Sequence, residues 1–435
     1  IERAAALRVL RRLVDPEIGV SSVAVLCLKI RCSESLDGDE YPPLCRISTI
    51  SEYTLVCRRE MNELGVVKRV HHFLENSKLQ DQRVAQLYTD AHHTLLGEKE
   101  LRPYQRFTLE LGDRVAHPDL VAQLDDGETL LAVEAKGSSG ITRGLAQAQQ
   151  YQEGFHLSFL ATDSSAMGSS TKRFARRKNV GLITVKEDVR VAHWPLPKQP
   201  WRDPARAILR QMEAAGEVSS QNTFLYNVPT HYLVWAIVLS PAKWYDRKNL
   251  PDEIERYPMP AEWMGALRGA RKLGLIEESG SRVRLTPTGE AVQDILDTSV
   301  EEWAEVHERA KHKPLVDFKP QAAAALRLLI MQDSMTRLII KGLRQFSDQR
   351  ASFDELARTC SKIDYDRSSV LFFVPEKIED ITNRKAEIEW GKVSGDHFRS
   401  TTSYQFKSVL KHAGVIENTG LGKGKKPEDD IWVLR

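Results

Sequence analysis

The sequence predicts an α/β protein: a core of strands and helices near the middle of the chain, followed by mainly helical regions. Three observations lead there. Between residues 71 and 195, stretches that repeat every two residues alternate with stretches of helical period. Asp125-Asp126-Gly127 punctuates two apolar, strand-like runs, which is a hairpin signal. Beyond residue 196 the pattern is helical, and twice it closes on a helix followed by short strands. The 435 residues suffice for two to four domains. With 41% hydrophobic and 28% charged residues, the balance is that of a globular chain.

The elements follow in order. Residues 1–70 open with an amphipathic helix, Ala4 to Val14, and two alternating stretches at 21–32 and 46–57 that read as strands. No chemistry attaches to this region. The opening residues carry scattered arginines and no continuous apolar segment, so they do not read as a signal peptide. Residues 79–97 read as a helix ending at Gly97, and residues 104–111 as a strand. The hairpin comes next. Residues 142–155 read as a helix capped by Thr142, 156–162 as a strand, 170–179 as a basic helix and 180–185 as a last strand. A proline-rich stretch at 193–204 reads as a linker. Residues 196–310 and 311–435 then form two further regions. In the first, a helix over 261–273, strands around Gly280 and a helix up to Leu296 make a winged-helix pattern. The second ends in a helix, a glycine-lysine loop and the strand Ile431–Arg435, an order similar to that of the first, as for a distant copy of one module.

The hairpin carries the chemistry. With Asp126-Gly127 as the turn, paired positions place Asp119 opposite Glu134. Directly opposed side chains share a face, with Cβ atoms about 5 Å apart. Lys136, two residues on, shares it too. Leu120, Leu124, Leu131 and Val133 then form the opposite, core-facing side. Two opposed carboxylates repel, and a divalent cation relieves the repulsion. Oxygen donors suit Mg2+ or Mn2+, which bind through one or two carboxylates plus phosphate. A neighbouring lysine can contact the phosphate and help place a water. The set suits phosphodiester hydrolysis.

The residues His117-Pro118-Asp119 and Glu134-Ala135-Lys136 resemble the PD-(D/E)xK nuclease superfamily. The resemblance is strengthened by Gln147 and Tyr151, a Q-x-x-x-Y on one helix face as in RecB-like and Mrr-like branches. The helix upstream is similar to that of Shedu-type defence nucleases. The resemblance covers roughly residues 75–190. It implies a restriction-endonuclease-like core, a mixed central sheet flanked by helices, with additional mainly α winged-helix domains. It also implies Asp119 and Glu134 as metal ligands aided by the carbonyl of Ala135, Lys136 as the catalytic lysine, and Gln147 and Tyr151 as further site residues. Asp81 or Glu98 would supply a third acid. The expected cofactor is Mg2+, or Mn2+.

The formal charge is only +2, so a DNA surface must come from local clusters. The basic helix offers Lys172, Arg173, Arg176 and Arg177. The first winged-helix pattern offers Arg268, Arg271, Lys272, Arg282 and Arg284. The second offers Lys407, Lys411, Lys423, Lys425 and Lys426. His71-His72 and His92-His93 read as surface or core histidines rather than ligands. The longest apolar run, Tyr232–Leu239, is too short for a bilayer, and five cysteines without a framework fit a reducing cytoplasm. The expectation is a cytoplasmic, Mg2+-dependent endodeoxyribonuclease acting on double-stranded DNA in restriction or phage defence, as a homodimer or with another defence-system protein and with no membrane partner. The alternatives are a DNA-binding regulator or scaffold with an inert core, and a structure-specific repair nuclease.

Overall fold

The computed structural model describes residues 61–435, apart from 97–100, 102–104, 113, 219–223, 225–226, 262, 384–386 and 423. The helix and strands expected within residues 1–57, the four cysteines among them, Glu98 and Lys423 lie outside the described residues.

Helix α1 (Glu63–Asn76) starts at Asn62, whose side chain accepts the Gly65 N–H, and Glu63 adds a favourable charge to its first turn. The boundary expected near residue 70 falls inside this helix. Nine strands follow: β1 (Lys78–Leu79), β2 (Gln82–Thr89), β3 (Leu109–Leu111), β4 (Arg114–Ala116), β5 (Leu120–Leu124), β6 (Leu130–Lys136), β7 (Leu157–Asp163), β8 (Gly181–Val185) and β9 (Val189–His193). Seven of them form one sheet in the order β1-β2-β5-β6-β7-β8-β9, with β3 and β4 paired separately. The sheet is mixed. Strands β6, β7 and β8 run parallel, joined by α2 (Ile141–Tyr151) and α3 (Ser169–Arg177), and their other neighbours are antiparallel. Parallel neighbours require such crossovers.

Residues 79–97 were expected as one helix; the described part, 79–96, instead holds the end of β1, β2 and a 3-10 turn over Ala91–Leu96. Val84 and Leu87, three apart, mimic a helical stripe. A register shift between Val84 and Gln86 lets both pack on the same sheet face, so a bulge produced the misleading spacing. The strand expected over 104–111 is confined to β3. Thr142 is not a cap: α2 begins at Ile141 after Gly140, which has φ 75° and no side-chain cap.

Helix α1 covers one sheet face, packing Val66, Val67, Val70 and Leu74 on Leu120, Leu131, Val133 and Phe159. The opposite face carries α2 and α3, and also α4 (Arg202–Val218), whose Ile208 and Met212 pack with Tyr151 and Phe155. The result is a three-layer α/β/α arrangement.

The remaining residues are mainly helical. After α5 (Thr230–Val238), strand β10 (Tyr245–Asp246), α6 (Met264–Lys272), β11 (Ile276–Ser279), β12 (Arg282–Leu285) and α7 (Pro287–Leu296) give the expected helix, hairpin, helix order, with sheet order β10-β12-β11. Near the C-terminus, β13 (Arg350–Ser352) pairs with β14 (Ile431–Val433), and helix α8 (Lys407–His412) precedes β14. One apolar core runs from Ala214 to Trp432 and so joins residues 196–310 to 311–435. Among the described residues, no helix is long and apolar enough to cross a membrane.

Candidate active site

The register of the β5–β6 hairpin brings the acids together. Leu120 pairs with Val133, and Gln123 with Leu130, so Asp119 and Glu134 stand opposite one another. The turn is pinned by Asp126, whose carboxylate accepts the Glu128 and Thr129 N–H groups and the Thr129 hydroxyl. Those bonds hold its carboxyl down at about 2, with the Thr129 hydroxyl the main cause. Leu120, Leu124, Leu131 and Val133 lie in the core beneath α1, and the two acids lie on the α2 side, as the alternation requires.

Each acid is tightly held. One oxygen of Asp119 accepts the Ala135 N–H at 2.7 Å, and the other lies 3.0 Å from His93 Nε2. Glu134, 2% exposed, is 2.8 Å from Lys136 Nζ and accepts the Tyr151 hydroxyl at 2.5 Å. Tyr151 also lies 3.0 Å from the carbonyl of His117. Lys136 further reaches Glu63 at 3.2 Å and the Ala135 carbonyl at 2.9 Å. Helix α2 comes this close because residue 144 is glycine: a Cβ there would sit 2.8 Å from both Lys136 and Leu160.

The surroundings decide the protonation. Burial, and then the charge of Asp119, push the Glu134 carboxyl up to about 7 against the pull of Lys136 and Tyr151. Burial alone would lower Lys136, but Glu134, Asp119 and Glu63 outweigh it and raise the amine. Burial likewise opposes a charged His93, yet its contact with Asp119 moves the imidazole upward overall. Burial raises the Tyr151 phenol, so it stays a donor.

Three more residues complete the cluster. The Asp90 N–H donates to the Asp119 carbonyl at 2.8 Å. The Asp90 carboxylate accepts the His92 N–H and lies 3.1 Å from Arg106, which reaches Glu379 at 3.1 Å. Burial, opposed by Arg106, raises the Asp90 carboxyl. Asp90, Arg106 and Glu63 were not among the expected site residues, and His93, expected as a surface or core histidine, contacts Asp119. His93 and Asp90 were hidden by the helical reading of residues 79–97, which pointed their side chains elsewhere. Asp81, the expected third acid, sits in the β1–β2 turn, a full eight-residue strand from Asp90, or about 25 Å at 3.3 Å per residue. It does not join the site, and Asp90 is the acid that lies there instead.

The donors fit a hard divalent cation. They are the two carboxylates, the Ala135 carbonyl and, on α2, Gln147, whose buried Oε1 has no hydrogen-bond partner among the described residues. Among those residues no three His, Cys, Asp or Glu side chains are arranged to hold a metal alone. Magnesium does not need three, because it keeps waters and shares substrate oxygens.

The expected DNA-contacting residues divide. Lys172, Arg173, Arg176 and Arg177 are exposed on α3, which packs on the same sheet face as α2. Lys425 and Lys426 are exposed, and Arg268 and Lys411 are half-buried. Arg282 and Arg284 lie over the Trp244 ring at 5.5 and 4.6 Å. Arg271 is paired with Glu278 at 2.9 Å. Two lysines turn inward. Lys272 is bound to Asp333 and the Glu217 carbonyl, and Lys407, 1% exposed, is bound to Asp430 at 2.6 Å. The apolar neighbours on its helix carry Lys407 into the core, where it neutralises the buried Asp430, whereas the Lys272–Asp333 pair is half-buried.

In comparison with known proteins, the chain matches no family model, no curated protein and no solved structure.

Proposed function

We propose that this protein is a metal-dependent DNA endonuclease with a restriction-endonuclease-like, PD-(D/E)xK core and winged-helix-type regions that hold DNA, serving restriction or phage defence. The observation that carries the reading is one face of one hairpin: Asp119 opposite Glu134, Lys136 in ion contact with Glu134, and Tyr151 closing over the same carboxylate.

Asp119, Glu134 and the Ala135 carbonyl would hold Mg2+ or Mn2+. When bound, that ion supplies Lewis acidity toward a phosphoryl oxygen and lowers the pKa of a bound water. The chain's own residues do the rest. Lys136 carries its charge to the non-bridging phosphate oxygens and orients the attacking water. Tyr151 and the Ala135 N–H fix the two carboxylates in the facing rotamers. His93 holds the second Asp119 oxygen. A single site cuts one strand, so two copies acting together would cut a duplex.

Plasmid cleavage tests this, using the full chain and Lys136→Ala with magnesium, manganese or EDTA. Metal-dependent cutting that is lost in the variant is the expected result. Cutting by the variant at the wild-type rate would sink the assignment. Tight DNA binding with no cutting in either metal would favour a binding protein with an inert core.

A further inference from the structure

Helix α3 has an unusual surface for its size. Of its nine residues, only Ala175 is buried. Ala175 packs on Leu145 and Ala148 of α2, on Leu160 and on Leu182. The helix therefore touches the body along one narrow line and turns the rest outward. On that outward side, positions 173, 174, 177 and 178 are neighbours by helical spacing. They are Arg173, Phe174, Arg177 and Lys178, and all are exposed. Phe174 is 43% exposed, and the Lys178 amine lies 5.9 Å from its ring centre. Just past the helix, Asn179 exchanges two hydrogen bonds with the backbone of Leu196, at 2.7 and 2.8 Å, and Leu196 is 77% exposed.

A single exposed aromatic is common and by itself means little. Here the ring is framed by cations on one helix face and followed by an exposed leucine held in place. The position also matters. Helix α3 packs on β8, which is two strands from β6, on the sheet face that carries Glu134. At 4.8 Å per strand the lateral offset between β6 and β8 is about 10 Å, so α3 and the acids share one side of the sheet.

A paired duplex offers phosphates to such a surface but keeps its base faces stacked inside. An unpaired strand offers both phosphates and base faces, and cations interleaved with an aromatic match that pair of features. We propose that α3 is a docking surface for single-stranded DNA, with Phe174 stacking an unpaired base while Arg173, Arg177 and Lys178 contact the flanking phosphates. The protein would then prefer DNA that is frayed, flapped or melted near the scissile bond. This substrate class rests on the nuclease reading above, but the binding does not require the chemistry.

Fluorescence anisotropy of the full-length chain in EDTA separates the two. The probes are a labelled 20-nucleotide oligothymidylate and a 20-base-pair duplex at matched salt. The wild type should bind the single strand more tightly. Phe174→Ala should weaken single-strand binding about 5- to 10-fold and leave the duplex unchanged, while Phe174→Trp should retain the single-strand preference. Arg173→Gln with Arg177→Gln should weaken both and flatten the salt dependence. Equal affinity of wild type and Phe174→Ala for the single strand would overturn the proposal. So would binding to phosphatidylserine vesicles in preference to both oligonucleotides, which would reassign the patch to a lipid surface. Plasmid cleavage with a neutral Phe174→Ala would sink the docking surface alone. Phe174-dependent binding without cleavage in any metal would sink the nuclease reading alone.

Discussion

Replacing Glu134 with glutamine should abolish cleavage and stabilise the fold, increasingly so as the pH rises. The carboxyl titrates from 4.5 in the unfolded chain to about 7 in the folded one, driven first by burial and then by Asp119. A folded value above the unfolded value means the native state holds the extra proton between them. Stability is therefore lost as pH rises through that window and stays lower above it. The full shift corresponds to about 3 kcal/mol. Roughly 1 kcal/mol of this cost is present at pH 5.5 and nearly all of it at pH 8.5. Glutamine keeps the shape and an acceptor oxygen but never ionises, so it escapes the cost.

The difference in melting temperature, variant minus wild type, should widen by about 2–3 °C between those two pH values, since a unit of about 375 residues unfolds with roughly 0.8 kcal/mol/K of entropy. Scanning calorimetry of both proteins in EDTA measures it directly. Magnesium should then raise the wild-type melting temperature at pH 8.5 and leave the variant little changed, because a cation offsets the charge that only the wild type carries. A gap that stays constant or narrows with pH would mean that Glu134 is ionised throughout. The reasoning from burial would then be wrong.

Tyr151→Phe removes a bond that lowers the Glu134 carboxyl, so the acid limb of the cleavage profile should move to higher pH, read from rate against pH. His93→Ala should cost about 1–3 kcal/mol by stripping a partner from Asp119. Because the His93 value is raised on folding, that loss should be largest at low pH and shrink as pH rises through the folded value, checked by urea melts at pH 5.5 and 8.5. Lys407→Ala should destabilise by about 3–5 kcal/mol, since it strands the buried Asp430; Lys407→Ala with Asp430→Asn should recover part of that, measured by thermal melts.

The hairpin was legible because its two-residue period, its Asp-Gly turn and its apolar face all point to one register. Strict alternation along β6 leaves Glu134 and Lys136 no other side to occupy. Residues 79–97 were not legible because a bulge shifts the phase between Val84 and Gln86, and a phase slip in a strand imitates a helical stripe. Everything placed by that strand was lost with it, which is why Asp90 and His93 were overlooked. Lys272 and Lys407 failed for another reason. A sequence shows that a lysine is charged, but not whether a distant acid such as Asp333 or Asp430 waits for it inside.

The ionisation of Glu134 also follows from counting charges around it. Five carboxyls, from Glu63, Asp90, Asp119, Glu134 and Glu379, are contacted by three bases, His93, Arg106 and Lys136. Lys136 is shared between two of the acids. With all groups ionised the cluster carries two negative charges too many, and the excess is least tolerable where water is scarcest. Glu134 is 2% exposed, whereas the side chain of Glu63 is 45% exposed, so a proton is better held on Glu134. Charge removed elsewhere should release it. Glu63→Gln frees Lys136 to serve Glu134 alone and removes one negative charge. The Glu134 carboxyl should then fall toward the ordinary carboxylate range, which direct titration of its side-chain carbon by NMR would show. A value unmoved in Glu63→Gln would mean that desolvation alone sets the protonation of the site.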